Sequence, residues 1–290
     1  MKQKCPTNAP GHESPTLPSP SGEGPGVRIL SRRKINLLIF ALFTCFTLQA
    51  EVYAVIVGVS RYEDPEDNLK YAASDAQAFY KVLTSGKQNP NVALLLNEKA
   101  TEKNILNEMR AKFAKAKASD RIIFFFSGHG INGAFCQYDC GDYTTFLEHE
   151  EIQSAFKKSK AKVKICIADA CHAGSIRKKG QSKTLPPDTI AGYYKAFNDQ
   201  SKLKTNNIIV FMSSRGNQYS EEHTELGQGV FTYYLIEAFK GKADTNKDKK
   251  VTAKEMYTYV RNKVSSGTGK SQVPVMFGRF SENTVIVAYK

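Results

Sequence analysis

The chain contains no tryptophan, and six cysteines among 290 residues are too few for a fold built on disulfides. No G-x-G-x-x-G follows the first strand-like run and no Walker loop occurs anywhere, which disfavours the nucleotide-binding relatives of an α/β topology. No second Cys/His cluster has ligand spacing, so a zinc site is not expected. The apolar stretch from Ile35 to Leu48 falls short of the about 20 residues that a membrane-spanning helix needs. What is present is ordinary: 41% hydrophobic and 24% charged residues, which excludes a wholly disordered chain, a collagen and a polytopic membrane protein. The length accommodates two domains, though one α/β domain also fills it.

Lys+Arg 41 against Asp+Glu 28 gives a net charge of +13, which taken alone points to nucleic acid or an anionic surface. The first 50 residues hold six basic and two acidic residues, so without them the charge is +9. The remaining lysines are scattered, as in 111–117, and do not alternate with aromatics along a groove. A solvated basic surface is the better reading, and no nucleic-acid partner is expected.

Residues 1–34 begin with a Pro-, Ser- and Gly-rich leader that has no helical or strand period and end in a basic patch, Arg28, Arg32, Arg33 and Lys34. The apolar run 35–50 follows and closes on Gln49 and Ala50, the pattern of a secretory signal peptide. The alternative is an uncleaved anchor. Cys45, in L-F-T-C, is a poor lipidation match. The leader ahead of a complete signal reads as an upstream start-site misassignment. The expectation is an exported protein, periplasmic or extracellular, with no stable membrane anchor once the signal is removed.

From Val52 onward, strand-like and helix-like runs alternate. Val52 to Ser60, Arg121 to Phe126 and Val163 to Ala168 are continuously apolar, as expected of strands buried on both faces. Val92 to Leu96, Asn207 to Met212 and Thr284 to Ala288 are further strand candidates. Helical spacing predicts helices over Asp75 to Leu83, Thr101 to Ala118, Glu150 to Phe156, Gly229 to Phe239 and Val251 to Val264. The order implies an α/β fold with a doubly wound, mostly parallel sheet and helices on both faces. Sites in such sheets form at the carboxyl ends of the strands.

Polar signatures stand at those ends. Arg121 to Phe126 runs into Ser127-Gly128-His129-Gly130, and Val163 to Ala168 into Asp169-Ala170-Cys171-His172-Ala173-Gly174. A cysteine attacks carbonyls as the thiolate, and a nearby imidazole lowers its pKa and protonates the leaving amine. The glycines permit a sharp turn and close substrate approach, and the Gly130 and Cys171 amides are candidate oxyanion donors. Alone, each residue reads as a buried strand-end cysteine or a satisfied core histidine. Two strand-end motifs in this order reverse that reading.

S-G-H-G and D-A-C-H-A-G resemble the caspase-like cysteine peptidases of the caspase–hemoglobinase fold, and within them the metacaspase and bacterial caspase-like branch. The opening V-Y-A-V-I-V-G-V-S-R-Y, the later D-A-Q-A-F-Y-K-V-L and G-Q-G-V-F-T-Y-Y-L-I-E-A-F-K-G carry the resemblance to the C-terminus. It implies a peptidase domain over 51–290, with a large-subunit-like part 51–174, a linker 175–206 and a small-subunit-like part 207–290. The signature Q-A-C-[RQG]-G is not met, since Asp169 stands where Gln belongs and Gly174 lies one place later. That departure favours the metacaspase side and argues against cleavage after Asp.

The resemblance implies Cys171 as nucleophile, His129 as general acid/base, the Gly130 and Cys171 amides as oxyanion donors, and a preference for Arg or Lys before the scissile bond. Asp75 and Asp169 match acidic pocket positions; a carboxylate pair suits a guanidinium bidentately. Each also has a plain reading, Asp75 as a helix N-cap or first-turn acid and Asp169 as a partner of the nucleophile loop. Ser213 and Ser214 are expected to begin an edge that binds substrate as an added strand.

Asp244, Asn246, Asp248 and Glu255 fit the oxygen positions of an EF-hand loop, but Lys249 replaces its glycine and three lysines oppose a cation, so a polar helix–helix turn is favoured over calcium. The acidic calcium site of many metacaspases has only Asp139 and Asp142 as nearby candidates, so no cofactor is required and calcium dependence is doubtful. Cys136 and Cys140 are compatible with a disulfide or with two thiols, and Cys166 reads as core. His172 is not read as catalytic. The segment 175–206, with Arg177, Lys178, Lys179 and Lys183, is either a self-cleaved linker or a Lys-rich surface loop. The expected function is a cysteine endopeptidase acting on protein or peptide substrates with basic residues. The alternatives are a catalytically weak caspase-fold interaction module and, more distantly, a small-molecule-binding doubly wound domain.

Overall fold

The computed structural model describes residues 50–131, 133–141, 145–171, 208–214 and 220–289, with the backbone alone at 171, 222 and 223. The leader, the apolar run up to Gln49, His172, Asp142 and the segment 175–206 lie outside the described residues.

The central sheet is built on β1 (Val52–Gly58), β2 (Val92–Leu96), β3 (Arg121–Ile131), β6 (Val163–Cys171), β7 (Ile208–Met212) and β11 (Val275–Arg279), in spatial order β11-β7-β6-β3-β1-β2. All neighbours are parallel except β11, which runs antiparallel to β7. The short β4 (Ala134–Phe135) and β5 (Leu147–Glu148) extend from the end of β3, and β8 (Glu222–His223) pairs with β9 (Gln228–Gly229).

Helices α1 (Ala72–Thr84), α4 (Val230–Glu237) and α5 (Ala253–Gly267) cover one face; α2 (Glu102–Phe113) and α3 (His149–Lys158) cover the other. Burial on both faces explains the unbroken apolar runs. Successive strand side chains point to opposite faces, so Phe124 and Phe126 enter the core beneath α2 and α3, while Ile123 and Phe125 enter the core beneath α1, α4 and α5. Phe125 stacks on Phe79 of α1 with ring centroids 4.7 Å apart, and Phe126 on Phe135 at 4.6 Å. Each such phenylalanine is fully buried and contributes about 1.5–3 kcal/mol by removal from water.

The doubly wound, mostly parallel architecture agrees with the sequence expectation, with several shifts at the boundaries. Helix α2 starts after Thr101, whose hydroxyl accepts from Asn104 N–H at 3.3 Å, and it ends at Phe113, short of the expected Ala118. Val251 belongs to β10 (Lys250–Thr252), which pairs with β12 (Val285–Ala288), and α5 begins only at Ala253. Thr252 and Glu255 form a capping box there, Thr252 N–H donating to Oε2 at 3.0 Å and Glu255 N–H to Oγ1 at 3.3 Å. Helix α4 stops at Glu237, and a wider turn, Ala238–Lys242, carries the chain onward. Strand β11 has no counterpart in the sequence reading, because Pro274 precedes it and Gly278 interrupts its apolar run. Among the described residues no helix is long and apolar enough to cross a membrane.

Candidate active site

Strands β3 and β6 outrun their neighbours. Strand β1 ends with Gly58 opposite Ser127, and β7 ends with Met212 opposite Ala168. Beyond those points β3 and β6 continue as a pair, Ser127 opposite Asp169 and His129 opposite Cys171. The two motifs therefore do not turn away after their apolar runs, as the glycines suggested; they stay extended and in register. Gly128 serves packing rather than a turn. A methyl group there would sit 2.8 Å from Tyr62 Oη and 2.9 Å from the Phe126 ring. Gly130 is buried and pairs with Phe135 of β4.

His129 is 7% exposed and held on three sides. Its N–H donates to Tyr62 Oη at 2.8 Å, and its carbonyl accepts from Cys136 N–H at 2.9 Å. Its Nε2 lies 2.8 Å from the Asp67 carbonyl. A carbonyl only accepts, so Nε2 carries a proton and donates it to Asp67.

Asp75 and Asp169 come together, although they lie far apart in sequence. Asp75 is 2% exposed and Asp169 6%. Tyr71 occupies the N-cap of α1, so Asp75 is a first-turn acid and not the cap. Its carboxylate accepts from Gly229 N–H at 3.0 Å and from Ser127 Oγ at 3.1 Å. Asp169 Oδ2 accepts from Thr232 N–H at 3.2 Å and Thr232 Oγ1 at 2.7 Å, and Oδ1 accepts from Ser220 Oγ. Burial raises the Asp169 carboxyl above its ordinary value, against the lowering pull of these donors. The two acids and Glu221 line a cavity of about 270 Å³ with Ser127, Gly128 and Gly229. It lies at the carboxyl ends of β3 and β6, which supply Ser127, Gly128 and Asp169 to its wall.

Both carboxylates crowd Gly229. A methyl group on it would stand 2.6 Å from Asp169 Oδ2 and 3.0 Å from Asp75 Oδ2. Gly229→Ala is accordingly expected to lower stability by about 1–3 kcal/mol, measured by urea denaturation. A variant with unchanged midpoint and slope would mean that the pocket yields without cost.

Ser213 and Ser214 are fully buried. Ser213 N–H already donates to Ala168 O at 2.9 Å and its carbonyl accepts from Gln272 Nε2 at 2.9 Å. Its main chain is thus engaged within the fold rather than laid out as an open edge. The oxygens of the loop 244–255 are already engaged: Asp244 accepts from Asp248 and Lys249 N–H and from Tyr289 Oη, Asn246 from Asp248 N–H, and Glu255 from Thr245 and Thr252. Asp139 accepts from Glu102 N–H at 3.0 Å. Among the described residues no group of three or more His, Cys, Asp or Glu is gathered for a metal ion. Cys136 and Cys140 form a disulfide, and Cys166 is a buried thiol whose pKa is raised by burial.

The sequence reading missed Tyr62, Asp67, Ser220, Glu221, Gly229, Thr232 and Gln272. Tyr62 closes the segment V-Y-A-V-I-V-G-V-S-R-Y and Gly229 sits in G-Q-G-V-F-T, both stretches already singled out by resemblance. Their polar partners lie in other elements, so no local pattern marks them.

The doubly wound α/β sheet thus sets a histidine and a cysteine in register on its two overrunning central strands, beside a buried acidic pocket. The caspase-domain model of peptidase family C14 matches residues 51–284, and the chain belongs to that cysteine-peptidase family. Metacaspase-2 of Arabidopsis thaliana is 32% identical over 145 residues, covering 42% of this chain and 34% of the relative, so the match spans about a third of that protein. A structural-genomics target protein from Geobacter sulfurreducens shares the fold, with a TM-score of 0.54, 18% identity, and coverage of 80% of this chain and 94% of that one.

Proposed function

We propose that this chain is an endopeptidase that cleaves after Arg or Lys through a Cys171–His129 dyad. His129 Nδ1 takes the thiol proton, and the Cys171 thiolate attacks the scissile carbonyl. The oxyanion accepts hydrogen bonds from the Gly130 and Cys171 amides. His129 then returns the proton to the leaving amine, and a water that it activates hydrolyses the thioester. Asp75 and Asp169 receive the substrate's guanidinium or ammonium group. No organic cofactor enters these steps.

The observation that carries this reading is the register of His129 against Cys171, with buried Asp169 two residues before Cys171 and joined by Asp75 of α1 around Gly229. Export through cleavage after Ala50 belongs to the same proposal. The Cys136–Cys140 disulfide supports it, since such bonds persist in oxidising compartments.

The test is an assay of the full chain against fluorogenic peptides ending in Arg, Lys or Asp, with and without calcium. Turnover after Arg or Lys supports the dyad and pocket together. Turnover after Asp retains the dyad but removes the roles given to Asp75 and Asp169. Silence on every peptide favours an interaction module on the same fold.

A further inference from the structure

We propose that Tyr62 is a positioning residue for His129, and that the Cys136–Cys140 disulfide acts through the same contact. The inference rests on the reading of His129 as the general acid/base.

A strand residue sends its N–H and C=O to the same side. For His129 that side is the one β1 would occupy, but β1 ends opposite Ser127. The last main-chain link from that segment is Val59 N–H to Ser127 O at 3.0 Å. Two residues from elsewhere take over the missing strand's place. Tyr62 Oη accepts from His129 N–H at 2.8 Å and donates to the Cys136 carbonyl at 3.3 Å, while Cys136 N–H donates to His129 O at 2.9 Å. Both peptide groups of the histidine are thus held in one closed circuit.

The circuit also reaches the imidazole. The Tyr62 ring is 7% exposed and lies 5.0 Å from the His129 ring, tilted by 39°. Tyr62 N–H donates to Asn68 Oδ1 at 2.8 Å, which ties it to the turn whose Asp67 carbonyl receives Nε2. Gly128 leaves the space that this approach needs. On the other side, Cys136 is fixed by its bond to Cys140, and both are buried, at 1% and 4% exposure. The loop between them is anchored by Tyr138 N–H to Ala100 O at 3.0 Å and by Leu147 N–H to Gln137 Oε1 at 2.8 Å. The disulfide therefore braces the carbonyl and N–H that Cys136 presents to Tyr62 and His129.

The experiment uses the full chain with Tyr62→Phe, with Cys136→Ser/Cys140→Ser, and with His129→Ala as reference. It measures kcat and KM on the preferred peptide, the thermal midpoint, and the pH dependence of iodoacetamide alkylation at Cys171, read by peptide mass spectrometry. Tyr62→Phe keeps the ring and removes only the hydroxyl. The expected result is a fall in kcat of about 10- to 100-fold at nearly unchanged KM. The alkylation midpoint moves up toward that of His129→Ala, and the serine pair shifts both in the same direction. A lowered thermal midpoint with wild-type kcat and an unmoved alkylation curve in both variants makes the contact merely structural and overturns the proposal. If His129→Ala leaves the Cys171 curve unmoved, the dyad itself falls and this inference with it. The alkylation readout needs no substrate, so the two failures separate even without peptide turnover.

Discussion

Cys171→Ala and His129→Ala are each expected to reduce turnover of an Arg- or Lys-terminated peptide by roughly ten-thousand-fold or more. The double variant is expected to lose little beyond either single one. A nucleophile and its base act as one unit, so once the thiolate is gone the imidazole has no proton to manage. His129 Nε2 donates to the Asp67 carbonyl, so in the proposed dyad the proton transfer falls to Nδ1. Comparison of kcat/KM for the two singles and the double decides it. Additive losses, or residual activity within about tenfold of the native chain, would remove the dyad from the mechanism.

Asp169→Asn is the second large effect, and its two consequences point in opposite directions. On Arg and Lys substrates the loss of a buried charge partner is expected to cost about 2–5 kcal/mol, on the order of thirty- to several-thousand-fold in kcat/KM. Stability is expected to stay level or to rise at neutral and alkaline pH. Burial raises the Asp169 carboxyl, so the folded chain holds that proton more tightly than the unfolded chain does. Its contribution to stability is therefore undiminished below the ordinary value of 3.8 and is lost as pH rises through the elevated folded value. Asparagine carries no charge to desolvate, keeps an oxygen for Thr232, and offers an N–H₂ to Ser220 Oγ. Its advantage over the native chain should grow with pH. Thermal melts from acid to alkaline pH, paired with kinetics on Arg and uncharged substrates, check both halves. A variant that melts lower at high pH and still cleaves after Arg would contradict the assignment.

The candidate site was legible in proportion to how local its signals are. His129 and Cys171 stand directly after continuously apolar strands, and a strand buried on both faces has to deliver its next polar residues to one edge of the sheet. Asp75 and Asp169 were visible by resemblance, whereas their partners were not. Thr232 N–H reaches Asp169 across 63 residues, and Gly229 N–H reaches Asp75 across 154. Gly128 was visible as a glycine but not for its reason, because the Tyr62 hydroxyl that excludes a side chain comes from a loop 67 residues before His129. Ser213, whose place after an apolar strand suggested an open edge, has its main chain engaged by Ala168 and Gln272.

By itself the sequence determined the succession of strands and helices, their sidedness and the ends where chemistry gathers, because hydrophobic period and strand length act over a few residues. Only the tertiary structure decided that β3 lies beside β6 with His129 level with Cys171, and that a tyrosine and a disulfide-closed loop replace the strand missing beside the histidine. Strand order, register and the partners of buried polar groups are set by packing among distant segments, which no short window of sequence contains.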